Sequence, residues 1–259
     1  MNDPRWAVIT GASSGIGAEM ARIYAGRGRA LVLTARREAR LAELKAEIAA
    51  TSPDLRVETV ALDLERSDGA EALVAELDRR GIEVETLVNN AGFGLRGRFA
   101  TLPYGDQVAM LQLNMASLTQ LCRLVLPGLM ARRRGGIINL ASTAAFQAIP
   151  FMAAYAASKA YVLALSEALH EEARRHGVVV TALCPGPTAT EFAARADMEK
   201  SKLFKGGAMD ASQVARIGID GHEAGRAVVI PGAANRAGAL GAKLAPRFLT
   251  RRMAAWLQG

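Results

Sequence analysis

Several residue types that often reveal function are scarce in this chain of 259 residues. It contains two cysteines, Cys122 and Cys184, and three histidines, His170, His176 and His222. So few cysteines argue against a disulfide-stabilised secreted scaffold, and we expect both thiols to be free and buried within their apolar stretches. The histidines lack metal-ligand spacing to either cysteine or to a carboxylate cluster, so we predict no metal.

Long apolar runs and C-terminal acidic residues are missing as well. No stretch is long and apolar enough to span a bilayer, and the opening MNDPRW lacks the pattern of a signal peptide, so we expect a cytoplasmic protein. No Asp or Glu occurs after residue 224, where six cations supply six of the seven excess positive charges. The remaining chain is nearly neutral and shows no recognition helix or zinc finger, so nucleic acid is not a predicted partner.

Short aliphatic runs alternate with longer amphipathic segments along the chain. This alternation is typical of successive strand–helix–strand units, and it predicts a doubly wound α/β fold with helices on both faces of a mainly parallel sheet. The predicted strands are residues 6–10, 30–34, 56–61, 86–89, 136–141, 178–183 and 226–230. The predicted helices are residues 15–26, 38–49, 67–80, 106–133, 153–176 and 212–221. Since no linker interrupts the pattern, we expect one domain over residues 1–259.

A glycine-rich turn, TGASSGIG, joins the first predicted strand to the first helix. A diphosphate needs converging backbone N–H groups without a Cβ in the way, and it is favoured at the positive end of a helix. The spacing Gly-x3-Gly-x-Gly differs from the common dinucleotide motif, and an ordinary glycine-rich turn is the alternative. The candidate diphosphate-binding residues are Gly11, Ser13, Ser14, Gly15, Ile16 and Gly17.

Tyr155 and Lys159 lie one turn apart in a predicted helix and therefore share a face. A phenol has an ordinary pKa near ~10. A neighbouring ammonium group, helped by an oxidised nicotinamide, would lower that pKa by stabilising the phenolate. The pair indicates proton transfer at a carbonyl or alcohol oxygen, and two unrelated surface side chains are the alternative.

The glycine turn, the Asn-Asn-Ala-Gly segment at 89–92, Ser142 and Tyr155-x3-Lys159 resemble the short-chain dehydrogenase/reductase family in order and spacing. The resemblance covers nearly the whole chain and implies a Rossmann-like fold with a seven-stranded sheet. It also implies that Tyr155 is the acid/base, that Lys159 binds the nicotinamide ribose, that Ser142 positions the substrate oxygen and that Asn114 holds a proton-relay water. The alternative for Ser142 is a polar residue in a turn, and the alternative for Asn114 is a purely structural kink in its helix.

The resemblance implies further contacts to a nicotinamide dinucleotide. These are Asp63 and Leu64 at the adenine, Asn89, Ala91 and Gly92 beside the adenosine ribose, and Pro185, Gly186 and Thr188 at the carboxamide. In the 89–92 segment, Asn89 is also expected to tie the central strands together, and Gly92 to let the protein backbone approach the cofactor. Purely architectural roles are the alternative for the 89–92 segment, and a turn role is the alternative for Asp63.

Cofactor choice depends on the end of the second predicted strand. An NAD-specific enzyme would place a carboxylate there, but this chain has Ala35 followed by Arg36 and Arg37. A guanidinium can make paired hydrogen bonds to a 2′-phosphate. We therefore expect NADPH/NADP+ rather than NADH/NAD+, with Arg36 as the principal ligand and Arg37 as the secondary one; a solvated charge run is the alternative.

The substrate pocket is predicted to be mainly apolar, with a lid at about 187–209. Its predicted apolar rim is Phe93, Leu95, Phe146, Ile149, Phe151, Met152, Phe192, Leu203 and Phe204. Such a lining suits a hydrophobic aldehyde or ketone. An acidic handle on the substrate stays open, since cations occur in the same segments: Arg96, Arg98, Lys202 and Lys205.

These features together predict an NADPH-dependent carbonyl reductase. An alcohol dehydrogenase working oxidatively is one alternative, and a non-catalytic dinucleotide sensor or membrane-associated protein is another. The four catalytic groups argue against the sensor, because a sensor needs none of them.

A basic tail at about 233–259 mixes apolar residues with cations. Its apolar residues are Leu240, Leu244, Phe248, Trp256 and Leu257. We favour packing on its own or a sister subunit, with an anionic membrane surface as the alternative. The apolar faces of the helices near Asn114 and Tyr155, which commonly pair in the family, predict a homodimer or homotetramer.

Overall fold

The computed structural model describes residues 5–192 and 207–258 and contains a seven-stranded sheet. Every neighbouring pair of strands is parallel, so the predicted mainly parallel sheet is confirmed and is parallel throughout. The strands are β1 (Trp6–Thr10), β2 (Ala30–Ala35), β3 (Val57–Ala61), β4 (Val84–Asn89), β5 (Gly136–Leu140), β6 (Val179–Leu183) and β7 (Val228–Val229). Their order is β3-β2-β1-β4-β5-β6-β7.

Helices cover both faces of this sheet, as the sequence predicts. They are α1 (Gly15–Gly26), α2 (Glu38–Thr51), α3 (Gly69–Arg79), α4 (Tyr104–Leu111), α5 (Leu118–Arg132), α6 (Ala153–Arg174), α7 (Ala211–Glu223), α8 (Ala233–Leu244) and α9 (Arg247–Gln258). In this part of the chain, none has the length and hydropathy needed to cross a membrane. The single helix predicted over 106–133 is instead interrupted by a π-helical segment at Gln112–Ser117.

The core consists of two apolar layers because successive strand side chains point to opposite faces. Val8 and Val32 face the layer that contains α3, α5 and α6, whereas Ile9 and Leu33 face the layer that contains α1, α2 and α7. Strands buried on both faces explain the uninterrupted aliphatic runs of the sequence.

Both cysteines are free and buried, as expected. The last strand is shorter than predicted, since only Val228 and Val229 pair with β6. The tail helices bury small residues such as Ala254, whereas their large apolar side chains are exposed; Leu244 and Trp256 are 77% and 65% exposed. Packing of these side chains on a sister subunit stays a prediction.

The strand order reverses between β1 and β4, which run side by side at the centre of the sheet. Parallel strands bring all their carboxyl ends to one edge, and a crevice forms outside that edge where the order reverses. The residues that follow β1, β2, β4, β5 and β6 therefore meet there. All the main sequence motifs occupy these positions.

Candidate active site

The glycine turn after β1 forms a backbone cradle at the start of α1. Gly11 and Gly15 have φ angles of +65° and +57°, which favour glycine. A Cβ on Gly17 would lie 2.6 Å from the carbonyl oxygen of Gly11. Since side chains are excluded at these positions, the cradle fits a diphosphate at the N-terminal end of a helix.

Thr10 and Asn90 hold this cradle in place. The Thr10 hydroxyl accepts hydrogen bonds from the backbone N–H groups of Asn90 and Ala91 at 3.0 and 2.9 Å. The Asn90 amide donates to the carbonyl oxygens of Thr10 and Gly11 at 2.9 and 3.1 Å. Neither Thr10 nor Asn90 is among the predicted site residues, although both stand inside the motifs that identified the site.

Asn89 faces the core instead of the cradle. It is 3% exposed, and its Nδ2 donates to Asn139 Oδ1 at 2.9 Å and contacts Cys122 Sγ at 3.4 Å. Asn139 in turn donates to Ser166 on α6 at 3.0 Å. The Asn89 side chain thus ties β4 to β5, as predicted, and its position beside the adenosine ribose stays a prediction.

Tyr155 and Lys159 lie at the carboxyl end of β5, on the same face of α6. Both are 6% exposed, and Lys159 Nζ lies 5.8 Å from the centre of the Tyr155 ring. Nζ also donates to the Leu140 carbonyl oxygen at 2.7 Å, which fixes it beside the crevice. The two side chains thus meet as the helical spacing predicts.

Ser142 stands where β5 runs into a short 3-10 turn, Thr143–Phe146. Its Oγ accepts from the Ala144 N–H at 3.1 Å and donates to the Pro185 carbonyl oxygen at 3.4 Å. The Ser142 side chain also lies close enough to Tyr155 to lower the pKa of its phenol. The two hydroxyl groups are therefore adjacent, as binding of one substrate oxygen requires.

Burial dominates the electrostatics of this pair. It raises the pKa of Tyr155 to about 12, and the hydrogen bond with Ser142 opposes that rise. Burial also lowers the pKa of Lys159 to about 8, so most of its ammonium stays charged at neutral pH. The expected lowering of the phenol pKa requires the ammonium together with an oxidised nicotinamide, and it stays a prediction.

Asn114 lies in the π-helical segment between α4 and α5. It is 1% exposed, accepts from the Phe93 N–H at 3.2 Å and donates to the Phe93 carbonyl oxygen at 2.9 Å. Its Nδ2 also lies 3.3 Å from Ser158 Oγ, one residue from Lys159 on α6. A Cβ on Gly92 would lie 2.8 Å from Asn114 Oδ1, so the glycine allows this close approach. Such π segments often occur at functional sites.

The two arginines after β2 point to different neighbours. Arg37 Nη2 donates to the hydroxyls of Ser13 and Ser14 at 3.0 and 2.9 Å. Arg36 instead donates to Glu65 at 2.8 Å. The structure thus brings Arg37, rather than Arg36, to the glycine turn, and their predicted ranking as ligands of a 2′-phosphate stays a prediction.

Asp63 and Leu64 follow β3 at the same edge. Asp63 Oδ1 accepts from the Glu65 N–H at 2.9 Å, the turn role that the sequence left open. Leu64 is buried, and its carbonyl oxygen accepts from Ser117 at 2.6 Å. Both residues lie where the adenine is predicted to bind, and a contact to the ring stays a prediction.

The predicted carboxamide-binding segment after β6 is tightly held. Thr188 is 8% exposed and donates to the Gly186 carbonyl oxygen at 3.0 Å. Gly186 packs against Asn235 of α8 so closely that no Cβ would fit. The Pro185 carbonyl oxygen accepts from the backbone N–H of Thr143 at 2.8 Å. These bonds fix the segment beside Ser142.

The strap, which we define as residues 187–192, crosses over the glycine turn. A Cβ on Gly15 would lie 3.0 Å from Thr190 Cγ2. The Glu191 carboxylate forms an ion pair with Arg37 at 2.9 Å, and this pairing lowers the pKa of Glu191. The sequence gives no sign of this contact, which joins the strap to Arg37 beside the glycine turn.

Phe192, the last residue of the strap, packs on the Tyr155 ring. Its ring centre lies 5.6 Å from that of Tyr155. A Cβ on Gly94 would lie 2.9 Å from Phe192 Cζ, so Gly94 allows this contact. Gly94 is therefore a further site residue that the sequence analysis missed.

The predicted lid begins and ends at one point. Thr188 and Met209 form an isolated parallel bridge. The Ala189 N–H donates to the Met209 carbonyl oxygen, and the Met209 N–H donates to that of Pro187, both at 2.9 Å. Of the predicted rim and its cations, Leu203, Phe204, Lys202 and Lys205 lie outside the described residues.

The described rim forms one apolar cluster around Tyr155. The predicted residues in that cluster are Phe93, Leu95, Ile149, Met152 and Phe192. Phe146 packs on the main core instead, with Lys243 Nζ 5.2 Å from its ring centre. Phe151 is 41% exposed and has a φ of +66°, a left-handed conformation that costs a non-glycine residue energy.

Among residues 5–192 and 207–258, no three His, Cys, Asp or Glu side chains group as metal ligands would. A nicotinamide dinucleotide, by contrast, fits the residues present, because the glycine cradle, the carboxyl end of β2 at Ala35 and Lys159 lie at one edge of the sheet. Its binding groups would be the cradle N–H groups, Arg37 with Ser13, and Lys159.

Known proteins share this arrangement. The very-long-chain 3-oxoacyl-CoA reductase of Mycosarcoma maydis is 35% identical over 180 residues, which are 69% of this chain and 51% of that protein. This chain thus spans about half the length of that relative.

Two solved structures match most of the chain. A short-chain dehydrogenase from Sphingobium yanoikuyae in complex with NADPH is 34% identical, with a TM-score of 0.83 over 91% of this chain and 92% of that one. The bulky-bulky ketone specific alcohol dehydrogenase from Comamonas testosteroni is 30% identical, with a TM-score of 0.78 over 93% and 91%. The family model for short chain dehydrogenases matches residues 5–201. The chain therefore belongs to the short-chain dehydrogenase family of oxidoreductases, whose members use nicotinamide dinucleotide cofactors.

Proposed function

We propose that this protein is an NADPH-dependent carbonyl reductase for hydrophobic ketones or aldehydes. The observation that carries the proposal is the meeting of the Tyr155 and Ser142 hydroxyls inside an apolar cluster, beside the glycine cradle. Two adjacent hydroxyls can hold one carbonyl oxygen, and the apolar surroundings exclude water from it. Such a site suits reduction of a carbonyl with an apolar substituent.

The chain's own groups supply the proton. The cofactor, when bound, supplies the hydride. Burial raises the pKa of Tyr155 to about 12, so the phenol stays protonated at neutral pH and can act as the acid. Ser142 donates a hydrogen bond to the carbonyl oxygen of the substrate and stabilises the negative charge that develops there. Lys159 and Asn114 support replacement of the proton on Tyr155. The Lys159 ammonium lies 5.8 Å from the centre of the Tyr155 ring, and the Asn114 amide lies 3.3 Å from Ser158, the residue before Lys159.

NADPH is the cofactor that the adenosine end of the site favours. No carboxylate stands at Ala35, and Arg37 joins Ser13 and Ser14 beside the glycine turn. A guanidinium flanked by two hydroxyls matches a 2′-phosphate in charge and in hydrogen bonding. The similar enzyme from Sphingobium yanoikuyae was solved with NADPH, which agrees with this choice.

The substrate class follows from the apolar cluster and from the relatives. One relative is a 3-oxoacyl-CoA reductase, and one structural neighbour is specific for ketones with two bulky substituents. A long-chain 3-oxoacyl thioester and a bulky ketone are therefore the two substrates that we propose to test first. We also propose that the enzyme is cytoplasmic, consists of one domain and assembles as a homodimer or homotetramer.

The test is NADPH oxidation with Tyr155→Phe across a panel of these carbonyl compounds. We expect kcat to fall by about 10²- to 10⁴-fold, because the general acid is lost. Tyr161→Phe is the matched control, since Tyr161 stands on the same helix, is 38% exposed and contacts only Thr119 through its hydroxyl among the hydrogen bonds described. A folded Tyr155→Phe variant with wild-type turnover would contradict the proton-donor role.

A further inference from the structure

The helices α8 and α9 carry large apolar side chains on their outer surface. Six of these are between 49% and 77% exposed, and we call them the tail patch: Leu240, Leu244, Phe248, Leu249, Met253 and Trp256. Surface helices of globular proteins normally turn such side chains toward the core. A large group of exposed apolar side chains on neighbouring segments of the chain indicates a contact with another surface.

The helix α9 packs on the protein through its small residues. Thr250 and Ala254 are 6% and 3% exposed, so they form its inner face. Leu249, Met253 and Trp256 recur at positions i, i+4 and i+7, and they therefore share one face of the helix. This face is directed outward, because all three residues are about half exposed or more.

The surroundings of the tail patch are strongly basic. No Asp or Glu occurs from residue 224 to the C-terminus. Five exposed cations stand on α8 and α9: Arg236, Lys243, Arg247, Arg251 and Arg252. Within the described ranges, none of the five forms an ion pair with a carboxylate.

The positive charge around the tail patch distinguishes between two possible partners, a second copy of this chain and a membrane surface. In a two-fold interface the same patch meets itself, which would place cations against cations. An anionic bilayer surface complements both properties, because its headgroups attract the cations while the interfacial region accepts the apolar side chains. We propose that α8 and α9 form a docking surface for membranes that contain anionic lipid.

The position of α8 gives this surface a connection to the active site. Lys243 on α8 lies over Phe146, in the turn that begins beside Ser142. Asn235, near the start of α8, packs on Gly186 of the predicted carboxamide-binding segment. A protein docked through the tail patch therefore holds its substrate cleft close to the bilayer, although the docking itself does not depend on the proposed reaction.

The test is co-sedimentation of the full chain with vesicles in the absence of substrate. Vesicles of mixed phosphatidylglycerol and phosphatidylcholine should bind the protein at least about tenfold more tightly than phosphatidylcholine alone, and added salt should weaken that binding. The double variants Leu249→Ser/Met253→Ser and Arg251→Gln/Arg252→Gln should each reduce binding about tenfold or more.

The matched control is Arg216→Gln/Ile217→Ser on α7, which removes one exposed cation and one exposed apolar residue outside α8 and α9. It should bind vesicles like the wild type. The proposal would be overturned if the wild-type protein did not co-sediment with the anionic vesicles. Light scattering that shows Leu249→Ser/Met253→Ser breaking an oligomer would also overturn it, because the patch would then belong to a subunit interface.

Discussion

Glu191 and Arg37 form an ion pair at 2.9 Å above the glycine turn, although they are far apart in the sequence. The same guanidinium binds the hydroxyls of Ser13 and Ser14. The carboxylate of Glu191 is therefore paired with Arg37, the side chain that we propose as the ligand of the cofactor's 2′-phosphate. A phosphate that binds Arg37 has to compete with this carboxylate.

We expect Glu191→Gln to tighten binding of NADPH by about threefold to fivefold, since an exposed ion pair is worth about 1 kcal/mol or less. NADH has no 2′-phosphate, so its affinity should change little. Fluorescence titration with both cofactors measures the difference. Glu43→Gln is the control, because Glu43 pairs with Arg40 on α2. Equal changes for the two cofactors would contradict competition at Arg37.

Arg37→Ala should weaken NADPH binding about 10- to 100-fold, the effect of losing charge-assisted hydrogen bonds. Arg36→Ala should weaken it much less, because Arg36 is held by Glu65. The dissociation constants of both variants for NADPH and NADH test this order. A larger loss with Arg36→Ala would support the ranking that the sequence suggested.

Gly17→Ala should reduce cofactor affinity about 10- to 100-fold, because the added methyl group overlaps the Gly11 carbonyl oxygen in the cradle. Gly26→Ala is the control on the same helix, since nothing lies within 4 Å of a Cβ there. The control should bind cofactor normally and raise the free energy of unfolding slightly. Normal affinity in a folded Gly17→Ala protein would show that the cradle does not touch the diphosphate.

Acid should destabilise the protein through His222. This ring is buried, with Nδ1 3.0 Å from Thr181 Oγ1, and burial lowers its pKa from 6.5 to about 4. The unfolded chain takes up a proton near pH 6.5, whereas the folded chain does not until about pH 4. Stability is therefore lost as the pH falls through this window, by up to about 3 kcal/mol.

Urea unfolding at about pH 7 and about pH 4.5 measures this loss. His222→Asn removes the titrating group and should make the decline between the two values shallower by about 2 kcal/mol. If the wild type and His222→Asn lose the same free energy, another group causes the acid sensitivity.

The sheet could be predicted because its strands are buried on both faces. Residues 6–10 and 15–26 were predicted with the bounds that the structure gives to β1 and α1. There the apolar run ends at a glycine turn, which is an unambiguous signal. The π segment at Gln112–Ser117 could not be foreseen, because one inserted residue barely changes the apolar pattern of a long helix.

The site could be predicted only where its residues belong to local motifs. Tyr155 and Lys159 meet because helical spacing alone brings them together. The ranking of Arg36 and Arg37 depended on Glu65 and Glu191, which reach them through the fold rather than through the sequence. The rise in the pKa of Tyr155 on burial could not be predicted for a similar reason, since desolvation is a property of the packed protein.

The bridge between Thr188 and Met209 has an evolutionary consequence. Because Thr188 and Met209 are joined to each other, the length and sequence of the chain between them can change without shifting any strand. We expect selection for new substrates to act mainly on that part of the sequence. The hydride and proton chemistry at Tyr155 would then be inherited unchanged while the choice of carbonyl compound diverges.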